Sequence, residues 1–200
     1  MLKVALTGGI ATGKSYVLEQ FRRHGIPCLD ADALAHGVMA PGTEATTAIA
    51  ARFGQEMLAA DGSVDRARLG PVVFADAAAR RDLEAIVHPA VYRAITAGLR
   101  AFELTEAVRL AIVDVPLLYE TGADSKFDKV IVTECLPDVQ VARLTARGLT
   151  ESAARQRLAA QLPTRDKAAR ADFVIRTDGT FAETDSRVEE VLRALTSGGT

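Results

Sequence analysis

The sequence predicts an α/β fold in which a parallel five-stranded sheet is flanked by helices. Short apolar runs, as at residues 2–6, 110–115 and 130–132, have the length and continuity of strands buried on both faces. Helical patterns follow these runs, and strands that alternate with helices are typical of a parallel sheet covered on both sides. Ligands of such sheets bind at the carboxyl ends of the strands, so we expect the functional site there.

The composition predicts one globular unit with an ample core and no polyanionic partner. The chain has 200 residues, 48% of them hydrophobic, and a formal net charge of -2. No stretch approaches the length of a membrane span, and the first residues predict a strand and a loop rather than a signal peptide. We therefore expect a cytoplasmic protein that binds no nucleic acid, no membrane and no obligate protein partner. Cys28 and Cys135 lack metal-ligand spacing and are predicted to be buried free thiols.

The first strand is predicted to lead through a glycine-bearing turn into a helix. Val17, Leu18 and Phe21 have the spacing of a buried helix face, and Gly25 is a typical helix stop. Residues 26–29 then predict a short buried strand, which ends in two carboxylates at residues 30–32. Two acidic side chains should therefore lie at the carboxyl end of a strand.

Residues 33–105 predict a helical insertion without a clear strand. Pro41-Gly42, Gly54 and Asp61-Gly62 interrupt the helical pattern. Asp76 predicts the N-cap of one helix, and Pro89 predicts the first turn of the next.

Residues 138–170 predict a second helical segment, which is rich in arginine and is interpreted as a lid. Pro137 is expected to begin a helix that reaches about residue 147, and Thr150 to begin another that ends near Pro163. A last strand at 173–175 and a capping box of Thr180 and Glu183 precede a terminal helix, whose residues 197–200 predict a frayed tail. The nucleotide-binding core is then formed by residues 1–32, 106–137 and 171–200.

The segment from Gly8 to Ser15 matches G-x-x-x-x-G-K-[ST] between a predicted strand and a predicted helix. In that context the backbone N–H groups turn inward around phosphate oxygens at a helix N-terminus. Lys14 can reach the β- and γ-phosphates, and the Ser15 hydroxyl can ligate Mg²⁺. The prediction is a P-loop NTPase fold that binds ATP and Mg²⁺ through Gly8, Gly9, Ile10, Ala11, Thr12, Gly13, Lys14, Ser15 and Tyr16.

The remaining patterns favour a small-molecule kinase over other P-loop proteins. The chain has no N-K-x-D segment that would read guanine, and residues 114–117 do not match a D-x-x-G switch. In a kinase reading, the insertion forms the acceptor pocket and Asp32 receives the proton of the acceptor hydroxyl. Arg143 and Arg147 are four residues apart, so on one helix they would share a face and point at one anion. A kinase for a different small acceptor and a non-enzymatic nucleotide-dependent switch remain alternatives.

Six segments, in order and across nearly the whole chain, resemble the dephospho-coenzyme A kinase family. This resemblance implies transfer of the ATP γ-phosphoryl group to the ribose 3′-hydroxyl of dephospho-coenzyme A, a step of coenzyme A biosynthesis. It also implies a nucleotide core, a helical coenzyme A-binding domain and a lid. The segments are Leu6 to Ser15, Asp30-Ala31-Asp32, Ala40-Pro41-Gly42, Val87-His88-Pro89, Asp114 to Glu120 and Ala171 to Ile175.

The resemblance assigns roles residue by residue. Asp32 matches the proposed catalytic aspartate, Lys14 and Ser15 match the phosphate and magnesium ligands, and the pair Arg143 and Arg147 fits the lid. Asp114, at a strand end, is our candidate for holding a magnesium-bound water. The residues that fall where the family places acceptor contacts are His88, Pro116, Leu117 and Leu118.

Structural alternatives and departures from the family pattern accompany these assignments. Asp30 is interpreted first as a helix N-cap, while His88 can instead end a helix and Asp114 can be a polar strand terminus. The family usually has Gly at the position of Ala11, and Ala11 is expected only to tighten the loop, provided that its φ is negative. It also usually has Thr at the position of Tyr16, and its asparagine-rich turn is here residues 176–179.

Overall fold

The computed structural model describes residues 1–105 and 107–197, and within them the chain forms two compact units. One unit comprises Met1–Leu29 and Phe102–Thr200, and the other comprises Asp30–Ala101. The second unit begins a few residues before the predicted start of the insertion at residue 33, and it ends a few residues before the predicted end at residue 105. The separate lid at 138–170 stays a prediction, and residue 106 of the predicted core lies outside the described residues.

Within the described residues, five strands form one sheet in the order β2-β3-β1-β4-β5. β1 pairs in parallel with β3 and β4, and β4 pairs in parallel with β5, so the predicted parallel five-stranded sheet is confirmed. The register sets Leu6 beside Asp114 and Gly8 beside Thr133, which brings the ends of three strands to one edge. The strands are β1 Leu2–Gly8, β2 Cys28–Asp30, β3 Leu110–Asp114, β4 Lys129–Glu134 and β5 Phe173–Arg176.

Helices connect and cover the strands, and none in the described part of the chain combines the length and apolar character that a membrane crossing requires. Short 3₁₀ turns occur at Gln55–Met57 and Asp124–Lys126. The described α-helices are α1 Lys14–Arg23, α2 Ala31–Val38, α3 Glu44–Phe53, α4 Arg66–Ala75, α5 Ala77–Glu103, α6 Pro137–Thr145, α7 Glu151–Ala159, α8 Thr164–Ala168 and α9 Phe181–Ser197.

The main core lies between the sheet and helices α1 and α9. It forms because the strands are apolar on both faces while the two helices carry apolar residues every three or four positions. The predicted α1 face is buried, and so is the α9 face at Val188, Val191 and Leu195. This cluster of buried side chains holds the strand ends and the start of α1 in place; its members are Val4, Leu6, Val17, Leu18, Phe21, Leu110, Ile112, Ile131, Ile175, Val188, Val191 and Leu195.

The second unit has its own small core around Ile49, Val64 and Leu69. Its longest helix, α5, begins after Asp76, whose Oδ1 accepts a 2.7 Å hydrogen bond from the Ala78 N–H, as the N-cap prediction requires. The prediction that Pro89 begins a new helix is wrong, because Pro89 lies inside the 27-residue α5. A proline removes one N–H from a helix without always ending it, and here the helix continues.

Other boundaries differ from the predictions at their ends. β2 starts at Cys28 rather than residue 26, α6 stops at Thr145 rather than near 147, and the short helix α8 was not predicted. Both cysteines are free as expected, with Cys135 buried and Cys28 half-buried. Residue 197 ends α9, and residues 198–200 of the expected tail lie outside the described residues.

Candidate active site

The segment between β1 and α1 is a tight loop that two glycines make possible. Gly13 has φ 82°, in the left-handed region that glycine adopts without steric cost. A Cβ on Gly8 would lie 2.6 Å from the Thr12 Oγ1 and 2.9 Å from the Thr133 carbonyl oxygen, closer than atoms approach. Ala11 has φ 59°, so the condition of a negative φ, under which this alanine would only tighten the loop, is not met. The loop therefore holds a left-handed alanine where the family usually has glycine.

Each backbone carbonyl from Gly8 to Thr12 accepts a hydrogen bond from a side chain. Apart from Thr12 itself, the donors belong to residues 140–177, which follow the loop by more than a hundred positions. The bonds are Lys167 Nζ to Gly8 at 3.3 Å, Thr12 Oγ1 to Gly9 at 2.8 Å, Gln140 Nε2 to Ile10 at 2.6 Å, Arg143 Nη1 to Ala11 at 3.1 Å and Thr177 Oγ1 to Thr12 at 2.6 Å.

These bonds fix the direction of the N–H groups as well. In a planar trans peptide unit the C=O and the following N–H point in opposite directions. The donors that hold the carbonyls of residues 8–12 therefore turn the N–H groups of residues 9–13 to the other side of the chain. The Ile10 N–H donates to the Gln161 Oε1 at 2.8 Å. The Thr12 N–H donates to the Gly9 carbonyl at 3.3 Å. The donors that the loop can offer to an anion are therefore the N–H groups of Gly9, Ala11 and Gly13.

Lys14 and Asp114 form the charged pair of the site. Lys14 begins α1 and Asp114 ends β3, and the Lys14 ammonium contacts the Asp114 Oδ1. The Asp114 side chain is only 6% exposed, so water screens this pair weakly. Ser15 follows on α1 with its side chain exposed. The predicted phosphate-binding cation thus lies beside one of the two predicted magnesium-side groups.

Arg143 is bound to the loop rather than directed into solvent. Its guanidinium donates to the carbonyls of Ala11 and Thr177 and, at 3.3 Å, to the Thr177 Oγ1. The prediction that Arg143 and Arg147 share one helix face is wrong, because α6 ends at Thr145. Arg147 lies in the following turn with its side chain exposed. The two arginines therefore have different surroundings.

A cavity of about 730 Å³ opens beside the loop at Gly9 and Ile10. Arg155, Arg165 and Arg176 line it together with residues 134–137, 140, 158, 159 and 161–164, whereas Arg143 and Arg147 do not. The bond that Arg176 donates to Asp178 holds the pKa of that carboxyl below its ordinary value. Each of the three arginines is paired with a carboxylate, Arg155 with Glu151, Arg165 with Asp166 and Arg176 with Asp178, so the cavity is lined by compensated charges.

Of the predicted acceptor-side groups, Asp32 and His88 belong to the second unit. Asp30 is the N-cap of α2, since its Oδ1 accepts hydrogen bonds from the N–H groups of Asp32 at 2.8 Å and Ala33 at 3.0 Å. The Asp32 side chain is exposed in the first turn of that helix. His88 is half-buried in the middle of α5, so the alternative that it ends a helix is wrong.

The segment after β3 contains both exposed and buried positions. The Pro116 carbonyl accepts hydrogen bonds from the Thr7 Oγ1 at 3.2 Å and the Lys167 Nζ at 3.4 Å. Leu117 is exposed, whereas Leu118 is fully buried, so the Leu118 side chain belongs to the core and is closed to ligands.

Tyr16 faces away from the loop. Its hydroxyl donates to the Asp185 Oδ1 at 2.7 Å, a bond that raises the pKa of Tyr16, and its ring lies 4.7 Å from that of Phe181. The Tyr16 side chain therefore connects α1 to α9. Its hydroxyl is directed at Asp185 and not at the loop.

Sequence reasoning missed several residues that hold the loop, among them Gln140, Lys167 and Thr177. Thr177 directly follows β5, so the rule that ligands lie at the carboxyl ends of parallel strands was a signal for it. Gln140 lies one turn inside α6, and Lys167 in a short helix; neither sits in a recognisable pattern. They are evident only from the three-dimensional contacts.

The fold and the loop together define a P-loop kinase. A model of the dephospho-CoA kinase family matches residues 2–183, and the chain therefore belongs to the dephospho-CoA kinase family. The chain is 48% identical to the dephospho-CoA kinase of Anaeromyxobacter dehalogenans over 99% of its own length and 94% of the relative's. It is 46% identical to that of Geobacter sulfurreducens, with 94% and 95% covered.

Solved structures agree with this assignment. A Thermus thermophilus protein has a TM-score of 0.81 and 31% identity, with 100% of this chain and 98% of that chain covered. The dephospho-CoA kinase from Campylobacter jejuni has a TM-score of 0.75 and 26% identity, with 99% and 98% covered. Shikimate kinase from Acinetobacter baumannii, at 18% identity and a TM-score of 0.50 with 100% and 95% covered, shares the fold.

Proposed function

We propose that this chain transfers the γ-phosphoryl group of ATP to the ribose 3′-hydroxyl of dephospho-coenzyme A, giving coenzyme A and ADP. The observation that carries the proposal is the loop of residues 8–14 in a member of this family. Four of its carbonyls, those of Gly8, Ile10, Ala11 and Thr12, are bound by side chains from outside the loop, and Lys14 stands at the start of α1. The N–H groups of Gly9, Ala11 and Gly13 and the Lys14 ammonium bind the β- and γ-phosphates.

The residues next to Lys14 also fit a magnesium ion. Mg²⁺ takes oxygen ligands and keeps several waters, and the site offers the exposed Ser15 hydroxyl and the Asp114 carboxylate. Ser15 would hold the ion directly and Asp114 through a water molecule. When bound, the ion neutralises charge on the transferring phosphoryl group. Lys14, released from Asp114, then contacts phosphate oxygens.

The acceptor side is proposed to lie with the second unit. Asp32 accepts the proton of the 3′-hydroxyl, for which its exposed carboxylate is available. His88, Pro116 and Leu117 contact the acceptor. Arg147 is part of a lid at residues 138–170 that closes over the triphosphate and keeps water from intercepting the phosphoryl group. A cytoplasmic location stays a prediction.

The decisive experiment is a coupled ADP-release assay with a panel of acceptors. We expect strong stimulation by dephospho-coenzyme A and none by coenzyme A, because its 3′-hydroxyl already carries a phosphate. Mass spectrometry then identifies the product. Stimulation by shikimate or AMP instead would indicate another small-molecule kinase. If no acceptor of the panel stimulates ADP release, the result would indicate a nucleotide-dependent switch. Lys14→Met serves as the control for contaminating kinases, since it removes the phosphate-binding cation.

A further inference from the structure

Lys167 is a fully buried cation that was not among the site residues predicted from the sequence. Its side chain is 0% exposed, and lysine is rarely buried unless its charge is paired. The ammonium donates to the Glu120 Oε1 at 2.7 Å, to the Gly8 carbonyl at 3.3 Å and to the Pro116 carbonyl at 3.4 Å. An ammonium has three protons, so these acceptors account for its full donor capacity.

The acceptors of Lys167 belong to different parts of the site. Gly8 ends β1 and begins the phosphate loop, while Pro116 follows Asp114 by two residues. The Glu120 Oε1 also accepts a hydrogen bond at 3.2 Å from the N–H of Leu162, in the linker before α8. One cation therefore connects the start of the loop, the segment that carries Asp114, and α8 itself.

We infer that Lys167 is a positioning residue for ATP binding. By holding the Gly8 carbonyl it turns the Gly9 N–H to the opposite side, which is the side of the phosphates. By holding the Pro116 carbonyl it fixes the chain just after the partner of Lys14. This inference concerns the binding of ATP, so it does not depend on which acceptor is phosphorylated. It rests on the proposed function only where the kinetic test uses dephospho-coenzyme A as the acceptor.

The geometry distinguishes this role from simple neutralisation of Glu120. The Glu120 side chain is 23% exposed and can be hydrated, whereas the Lys167 side chain is not exposed at all. The Glu120 carboxylate therefore compensates the buried charge of Lys167, whereas water can stabilise the charge of Glu120 without Lys167. If the carbonyl contacts are what matters, removing the carboxylate charge alone should weaken ATP binding less than removing the ammonium does.

The test compares Lys167→Met with Lys129→Met as a matched control. Lys129 forms an ion pair with Asp172 at 2.8 Å in the same unit, but its side chain is 45% exposed and it begins β4. Calorimetry measures Mg·ATP affinity without any acceptor, and steady-state kinetics then give kcat and both KM values. We expect Lys167→Met to weaken ATP binding roughly 10- to 100-fold, because hydrogen bonds from a charged donor are lost. The KM for dephospho-coenzyme A should stay within about threefold.

Further variants keep the result decisive. Glu120→Gln retains Oε1 as an acceptor for Lys167 and the Leu162 N–H but removes the counter-charge of a buried ammonium, so it should lower the free energy of unfolding. The ATP affinity of the folded variant should fall by less than that of Lys167→Met. If Lys167→Met does not fold, Lys167→Gln, which keeps a neutral donor, takes its place under the same criterion. The inference is overturned if folded protein lacking Lys167 binds ATP normally, or if Glu120→Gln weakens ATP as much as Lys167→Met. Loss of acceptor specificity in the wild type, by contrast, counts against the proposed function alone.

Discussion

Lys14 and Asp114 are ion-paired, although each is proposed to serve a different part of the Mg·ATP complex. Asp114 ends β3, and Lys14 begins α1 after the loop that follows β1; the two strands are neighbours that pair with Leu6 beside Asp114. In the proposed complex, binding of ATP would exchange one partner of Lys14 for another, and the released carboxylate would be available to a hydrated cation. The pair holds both groups in place and keeps the buried carboxylate compensated.

Asp114→Asn tests this exchange. The substitution removes the negative charge that would hold a magnesium-bound water, so the Mg²⁺ concentration for half-maximal activity should rise roughly tenfold. A magnesium titration at fixed ATP measures it. Asp172→Asn, which breaks the ion pair with Lys129, is the control. An unchanged magnesium dependence in Asp114→Asn would make Asp114 a polar strand terminus.

Asp32→Asn tests the proposed proton acceptor. Turnover should fall roughly 10² to 10⁴-fold while ATP affinity stays nearly intact, because only proton transfer from the acceptor is affected. Asp30→Asn is a matched control two residues away, since asparagine also serves as an N-cap. Rapid-quench or coupled assays measure the turnover. Normal turnover in Asp32→Asn excludes it as the base.

The different surroundings of Arg143 and Arg147 predict different kinetic effects. Arg143→Met should raise the KM for ATP roughly tenfold or more, because the carbonyls of Ala11 and Thr177 lose a charged donor. Arg147→Ala should instead lower kcat more than it weakens binding of dephospho-coenzyme A. Steady-state kinetics with each substrate varied separate the two effects. Equal changes in kcat and in the KM for ATP in both variants would contradict the different roles of the two arginines. If Arg147→Ala weakens the binding of dephospho-coenzyme A more than it lowers kcat, Arg147 belongs to the acceptor site.

Ala11 is strained in a way that predicts an unusual response to substitution. A left-handed backbone costs a residue with a Cβ roughly 1–2 kcal/mol, which glycine avoids, while glycine costs about 0.5–1 kcal/mol through chain entropy. Ala11→Gly should therefore raise the free energy of unfolding by about 0 to 1.5 kcal/mol. Ala11→Val should destabilise by roughly 1–3 kcal/mol, because β-branching adds to the strain. Urea unfolding measures the free energy of unfolding of both variants. Equal destabilisation by glycine and valine would contradict the prediction that Ala11 is strained.

Cys28 should react slowly in the folded protein. Burial raises the pKa of the Cys28 thiol to about 11, and the thiolate is the reactive form. Alkylation at pH 8, located by peptide mass spectrometry, should be slow until the chain unfolds. Because the folded state holds the proton more tightly, this group contributes stability below its unfolded pKa. That contribution is lost as the pH rises toward about 11. Fast native alkylation at pH 8 contradicts the burial argument.

The sequence predicted the parts of the site that lie close together in the chain. The loop and Lys14 follow from one motif, and the N-cap at Asp30 follows from a local preference that the structure confirms. Pro89 was misjudged because a helix-breaking tendency was overruled by the packing of a long helix. Lys167 and Gln140 were missed because their contacts are with residues more than a hundred positions away, for which spacing gives no signal.

The outside bonds on the loop also have a consequence for the order of synthesis. Residues 8–12 leave the ribosome before the side chains that hold their carbonyls, which extend as far as Thr177. β1 itself lies between β3 and β4, both of which are made later. A nascent chain therefore carries the loop of residues 8–12 without these supporting bonds until the segment that ends at Thr177 has been made.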